Sequence, residues 1–154
     1  MAATKMKAFL DSAGVKYVTI RHSPAYTASD IAASAHVAAR DFAKTVILNV
    51  EGEPAMLVLP ATRRILLHEL REMLASDDVH LASEPEIRGL FPDCELGAMP
   101  PFGNLYGMKV YVTASLAREA EIAFNAGTHT EVIKLPYVDF ERLVRPQVID
   151  LVTT

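Results

Sequence analysis

Phe42-Ala43-Lys44-Thr45-Val46-Ile47-Leu48-Asn49-Val50 is followed by Glu51-Gly52-Glu53 and then by Pro54-Ala55-Met56-Leu57-Val58-Leu59. Two β-rich apolar runs around a short glycine-containing turn predict a β-hairpin. Pro60 closes the second run, because proline cannot donate to a ladder. Period-two alternation puts Lys44 on one face with Val46, Leu48 and Val50, and sends Thr45, Ile47 and Asn49 to the other. A lysine among such neighbours must snorkel, pair, or face a cavity. Lys44 therefore reads either as an edge-strand lysine that blunts aggregation or as a cation placed for chemistry.

Working outward, residues 4–13 carry Met6, Phe9, Leu10 and Ala13 at helical spacing, with Gly14 as a stop. Residues 17–20 predict a short strand that ends at Arg21-His22-Ser23-Pro24. Thr27 is placed to cap a small-residue helix with Ile31, Ala35 and Ala38 on one side. Beyond the hairpin, apolar positions 66, 67, 70, 73 and 74 predict a helix over residues 66–75. Ser83-Glu84-Pro85-Glu86 is a capping box with proline in the first turn, so a further helix runs to Leu90. Strands are expected at 109–113, 121–125 and 131–135, and a last helix at 137–144 before Pro146. The order α-β-α-β-β-α-α-loop-β-β-β-α argues one α+β domain over residues 1–154, with a mixed or antiparallel sheet. No glycine-rich phosphate motif links a strand to a helix, so nucleotide-binding folds of that kind lack support.

Residues 90–107 break every periodicity. They hold Pro92, Pro100 and Pro101 with Gly97, Gly103 and Gly107, which argue against helix or central strand between 97 and 103. Leu96, Met99, Phe102 and Leu105 are apolar, unlike a solvated linker. The stretch is either a rigid loop lining a site or a tight connection packed on the core.

A chain of 154 residues with 51% hydrophobic content can bury a sizeable core without staples. The formal charge of −4 disfavours a generally basic surface that coats nucleic acid, and leaves room for a small local patch. Cys94 is the single cysteine, so no intrachain disulfide can form. The N-terminus turns charged before an apolar signal region develops, no run approaches a membrane span, and a cytoplasmic location is expected. The sequence offers no His-x-x-x-His pair, no cysteine pair and no calcium-type loop, so neither metal nor cofactor is expected.

Cys94 lies between Asp93 and Glu95, whose charges disfavour the thiolate. Ser23, Ser34 and Ser115 sit in no nucleophile-elbow context. With no obvious covalent nucleophile, an enzyme of this sequence must position and polarise a substrate that is already labile. His129, after Gly127 in a turn, and His22, before Pro24, can each donate, accept or titrate, or simply cap backbone groups. His36, His68 and His80 read as helix-face or loop residues.

Three features in order carry a resemblance: Ala43-Lys44-Thr45-Val46 in a strand, the loop from Gly97 to Gly103, and Ala126-Gly127-Thr128-His129. His22-Ser23-Pro24-Ala25-Tyr26-Thr27, Leu90-Phe91-Pro92-Asp93-Cys94 and Leu143-Val144-Arg145-Pro146 fit the same pattern. The arrangement resembles the YbaK/prolyl-tRNA synthetase-associated domain family of trans-editing aminoacyl-tRNA deacylases. That resemblance implies a single α+β domain on a mixed, mostly antiparallel, partly barrel-like sheet flanked by helices. It implies hydrolysis of the ester joining a wrong, small amino acid to the terminal adenosine of a tRNA, often one for proline, with no metal and no acyl-enzyme. Lys44 matches the family's principal functional residue, which engages the terminal adenosine or its phosphate. Gly97-Ala98-Met99-Pro100-Pro101 matches the loop whose backbone holds the aminoacyl end. Gly127, Thr128 and His129 match another pocket wall, with Thr45, Phe102, His22 and Tyr26 as further expected substrate contacts. The implied partners are the tRNA acceptor end and a synthetase, the prolyl enzyme foremost. The rival expectation is a non-catalytic module that docks a tRNA end or a synthetase.

Overall fold

The computed structural model describes residues 2–24 and 28–154. Thr27 and Tyr26 lie outside the described residues. The hairpin is present as β2 (Ala43–Val50) and β3 (Glu53–Pro60), paired antiparallel from Ala43↔Pro60 to Val50↔Glu53. Its two-residue turn holds Glu51 at φ 51° and Gly52 at φ 82°. Two successive positive φ values are what a tight hairpin turn matched to strand twist requires.

This hairpin is the centre of a five-stranded sheet ordered β4-β2-β3-β5-β8, where β4 is Val79–Leu81, β5 is Lys109–Thr113 and β8 is Gln147–Ile149. The β3–β5 and β5–β8 pairs are parallel, and the β2–β4 pair is antiparallel. A second, three-stranded antiparallel sheet is ordered β1-β7-β6, from β1 (Val18–Arg21), β6 (Glu121–Asn125) and β7 (Glu131–Pro136). The α+β class and the mostly antiparallel pairing hold. The strands nevertheless fall into two sheets and neither closes; a single parallel bridge, Phe42↔Ala123, joins them.

Central position explains the sequence of β3. Its last six residues are all buried, as a strand covered on both faces must be. Met56 and Val58 enter a core shared with Ala43, Ile47, Phe102, Phe124 and Phe140. Ala55, Leu57 and Leu59 enter a second cluster with Leu48, Leu70 and Tyr111, against which Val46 and Val50 pack. The two faces of β2 thus divide as its alternation predicts. Phe102 is fully buried at the hub of the larger core, with ring centroids 5.5 Å from Phe124, 5.7 Å from Phe140 and 6.1 Å from Phe9.

Helices cover these faces: α1 (Ala2–Ser12), α2 (Ala28–Ser34), α3 (Leu67–Leu74), α4 (Glu84–Leu90), α5 (Ala114–Ala117) and α6 (Tyr137–Val144). The capping box is formed: Ser83 Oγ accepts from the Glu86 N–H, and Glu86 Oε1 accepts from the Ser83 N–H. The helix at 28–34 is shorter than expected. His36 adopts φ 56°, so Ala38 falls beyond the helix and is exposed, while Ile31, Ala32 and Ala35 are buried. Among the described residues, no helix is long and apolar enough to cross a membrane.

Candidate active site

The strand β4 pairs with β2 only along Leu48–Val50, and the bridge to the second sheet is made by Phe42. Between them the edge of β2 has no partner strand among the described residues. A cavity of about 330 Å³ opens at this gap. Thr45, Val46 and Ile47 form its floor, Leu81, Ala82, Glu84 and Ile87 one wall, and Leu96, Gly97 and Met99 the other. A larger hollow of about 420 Å³ lies at the end of α3, lined by His68, Arg71 and Glu72 among others, and holds none of the residues singled out from sequence.

The loop wall is rigidly tied. The Glu95 N–H donates to Gly127 O at 2.8 Å and the Gly127 N–H to Ala98 O at 3.0 Å. His129 Nε2 lies 2.8 Å from Leu96 O. A carbonyl can only accept, so this nitrogen carries the proton and donates. Glu95 Oε2 is 4.0 Å from the same nitrogen. Asn125, at the end of β6, donates from Nδ2 to Gly97 O at 3.5 Å. Both Asn125 and His129 are buried. Gly97 is held at φ 85° and Gly127 at φ 96°, conformations that glycine takes without the Cβ penalty. Loop and turn therefore form one unit, although Gly127, Thr128 and His129 stand behind the loop and outside the cavity lining.

The state of the loop's donors is decisive for its chemistry. The Ala98 N–H is already given to Glu95 O at 3.0 Å. Pro100 and Pro101 have no N–H, and both are buried, so they brace the loop and lie outside the cavity lining. The N–H groups of Gly97 and Met99 have no protein acceptor among the described residues, and both residues line the cavity. Across from them, Thr45 Oγ1 is buried without a hydrogen-bond partner. The lining of this largely apolar hollow thus includes two residues whose backbone donors are uncommitted, beside a threonine whose hydroxyl is buried.

Lys44 does not line this cavity. It is half-buried on the opposite face of β2, one residue from Thr45, with no ion pair or hydrogen bond among the described residues. Burial, and then the guanidinium of Arg64, hold its ammonium below the usual lysine range. Phe102, expected as a substrate contact, belongs to the core and is out of reach of any ligand. His22 also stands apart from the cavity: its Nδ1 is 2.8 Å from Ser23 O, and its N–H donates to Thr130 O at 2.9 Å, bracing the turn from behind. Thr128 Oγ1 is 3.2 Å from Thr130 Oγ1 within the same turn. Cys94 is packed with Asp93 and Tyr106, and burial pushes its thiol up to about 11. The sequence reading missed Asn125 and the α4 wall. Asn125 had one signal, a polar residue closing the apolar run Ile122-Ala123-Phe124 directly before Ala126-Gly127.

Backbone N–H donors on a fixed loop beside a small pocket can stabilise charge that develops on a carbonyl oxygen. Comparison with known proteins narrows the class. The aminoacyl-tRNA editing domain matches residues 22–143, so the chain belongs to that family. The expectation of a hydrolase acting on an aminoacyl-tRNA ester holds at this level. Over 151 residues the chain is 25% identical to the multifunctional Ser/Thr-tRNA deacylase ProXp-y of Escherichia coli K12, covering 95% of this chain and 90% of that one. Among solved structures, a candidate trans-editing enzyme for prolyl-tRNA synthetase superposes with a TM-score of 0.81 at 21% identity, covering 97% of this chain and 96% of that one. The hypothetical protein APE2540 does so with a TM-score of 0.83 at 19% identity, covering 96% and 98%. These two likenesses establish the fold.

Proposed function

We propose that the protein is a trans-acting deacylase that clears a small wrong amino acid, such as serine, threonine or alanine, from a mischarged tRNA, with tRNA for proline as the first substrate to test. The observation that carries this reading is that Gly97 and Met99, whose N–H groups have no protein acceptor among the described residues, both line the cavity with Thr45. In the reaction, water adds to the ester carbonyl carbon, and negative charge develops on the carbonyl oxygen. In this reading the N–H groups of Gly97 and Met99 receive that oxygen, on a loop already tied in place. The carbon–oxygen bond to the ribose then breaks, the ribose oxygen takes a proton, and the free amino acid leaves. An aminoacyl ester is activated, so modest electrostatic help suffices, without metal or covalent intermediate.

In this reading His129 is a positioning residue. Its Nε2 proton is given to Leu96 O, so it holds the loop in place. Thr45 forms part of the floor beneath the aminoacyl group, and Gly127 and Thr128 frame the turn behind the loop. Lys44, on the far side of the same strand edge, suits a phosphate of the terminal nucleotides as a point charge. In this reading the apolar walls of the cavity, among them Ile47, Ile87 and Met99, select small side chains mainly by excluding larger ones. A synthetase is the fitting protein partner, and a cytoplasmic location goes with it.

The test is deacylation of tRNA for proline charged with alanine, cysteine, serine, threonine or proline, with Lys44→Ala run beside the wild type. Release of one or more wrong amino acids, lost in the variant while proline is spared, is the expected result. Wild-type rates in Lys44→Ala on a validated substrate would remove Lys44 from the site. No release from any substrate, with saturable tRNA binding retained, would replace catalysis by docking.

A further inference from the structure

One end of the five-stranded sheet collects cations that make no ion pair among the described residues. Lys44 opens β2 and pairs in register with Leu59 near the end of β3. The chain then turns, with the Arg63 N–H donating to Pro60 O at 3.0 Å, and presents Arg63 and Arg64. Backbone bonds between Arg64 and Thr154, at 2.8 and 3.1 Å, fix this turn. The parallel neighbour β5 ends at Thr113 on the same side and continues through α5 to Arg118. Arg63 and Arg118 line one hollow of about 240 Å³ together with Ser115 and Asp150.

All three arginines are exposed. Among the described residues none of them, nor Lys44, makes an ion pair; Asp150 shares the hollow but lies beyond pairing distance. Nearby Arg40 differs, since it faces Asp41 at 3.9 Å. In a chain of net charge −4, carboxylates are abundant and could have paired these groups. Four unpaired cations at one sheet end therefore point to an anion supplied from outside. Lys44 adjoins Thr45 of the cavity floor, so the ridge leads up to the site.

We propose that Arg63, Arg64 and Arg118 form a phosphate-binding ridge that carries the acceptor strand of tRNA to Lys44 and the cavity. The proposal deepens the deacylase reading and rests on it for the identity of the RNA. Arginine forks match phosphate oxygens bidentately, and a row of them reads the backbone without regard to sequence. The acidic remainder of the surface confines RNA to this end and keeps binding transient.

The experiment measures binding of uncharged tRNA by fluorescence anisotropy across a salt series. It compares wild type, the triple variant Arg63→Ala/Arg64→Ala/Arg118→Ala, and Lys16→Ala, an exposed lysine elsewhere. Each phosphate contact contributes about 0.7–0.9 to the slope of log affinity against log salt, so the triple variant is expected to lose about 2–3. Lys16→Ala keeps the wild-type slope. Changing the same three arginines to lysine restores most of the slope, because the charges return. With charged substrate, the triple variant raises KM and leaves kcat at saturating tRNA intact. An unchanged slope in a folded triple variant overturns the proposal and hands the ridge to an acidic protein surface. Failure of the lysine variant to recover overturns it as well, since the loss then came from the fold. Because the probe is uncharged tRNA, absence of deacylation in the wild type would sink the deacylase reading and leave the slope measurement to judge the ridge.

Discussion

Replacing Gly97 by alanine separates the loop's geometry from the protein's stability. Gly97 sits at φ 85°, and a Cβ there would meet His129 Cε1 at 3.5 Å, an ordinary contact. The cost is therefore one of backbone conformation: about 1–2 kcal/mol for a side chain held in the left-handed region. Gly107 is the matched control. It has φ 70°, and a Cβ there would meet nothing within 4 Å. Both substitutions should lower Tm by about 2–8 °C in a chain of this size. Only Gly97→Ala changes the relation of the Gly97 and Met99 N–H groups to the carbonyl. Relief of strain rotates the two peptides flanking residue 97, which hold Leu96 O against His129 and Gly97 O against Asn125. Displacement of a reacting group by about 1 Å costs on the order of 100-fold, so kcat should fall by about 10- to 100-fold in Gly97→Ala and hold in Gly107→Ala. Single-turnover deacylation at saturating enzyme, with thermal melts of both variants, reads the two effects separately. Unchanged kcat in Gly97→Ala, or an equal loss in Gly107→Ala, would refute the role assigned to the loop backbone.

Other perturbations test the remaining parts. His129→Ala leaves the Leu96 carbonyl without its donor, a loss of about 1–3 kcal/mol, and should lower kcat; His129→Gln keeps a donor and should recover part of both, whereas a Gln variant as inactive as Ala would make the imidazole itself essential. Phe102→Ala removes the hub of the aromatic core and should cost about 3–5 kcal/mol, seen as a fall in Tm of about 10 °C; a small shift would mean that the core collapses around it. Cys94, pushed up to about 11, is thiolate in only about one molecule in a thousand at pH 8. Its alkylation should quicken about tenfold per pH unit through pH 10, and Cys94→Ser should keep full activity; a rate that levels off below pH 9 would contradict this. Lys44→Met should melt at or above the wild-type temperature while deacylation is lost, and a clear fall in Tm would show that the ammonium is a structural group.

Much of this fold was legible because local rules sufficed. The hairpin declared itself by two β-rich runs and a glycine turn, and the alternation of β2 correctly divided Lys44 and Val46 from Thr45 and Ile47. The capping box at Ser83 was legible because all its atoms lie within four residues. What escaped depends on distant partners. The strands β4 and β8 are three residues each and exist only because β2 and β5 offer edges. The same limit hid the cavity, which is a gap between two pairings of β2. Composition marked the 90–107 stretch as special but could not say which apolar residues turn inward. Phe102 turned to the core, and Met99 reached the cavity lining.

In the proposed reading the two faces of β2 at the gap divide the labour of recognition. On one face, Thr45 lines the hollow together with Gly97 and Met99 of the loop. On the other, Lys44 stands half-buried near Arg64, and both burial and the like charge disfavour its ammonium in the folded chain. A lysine whose folded pKa lies below its unfolded value weakens the fold while it is charged, and that penalty is relieved as pH rises through the lowered value. Lys44 is thus a cost to folding at neutral pH. A phosphate bound between Lys44 and Arg64 reverses the sign, because an anion near both cations favours their charged forms and returns the lysine toward its ordinary range. The free protein therefore holds a local excess of positive charge one residue away from the cavity floor. On the proposed reading, affinity for the RNA end and placement of the carbonyl are coupled through a single strand, Ala43–Val50.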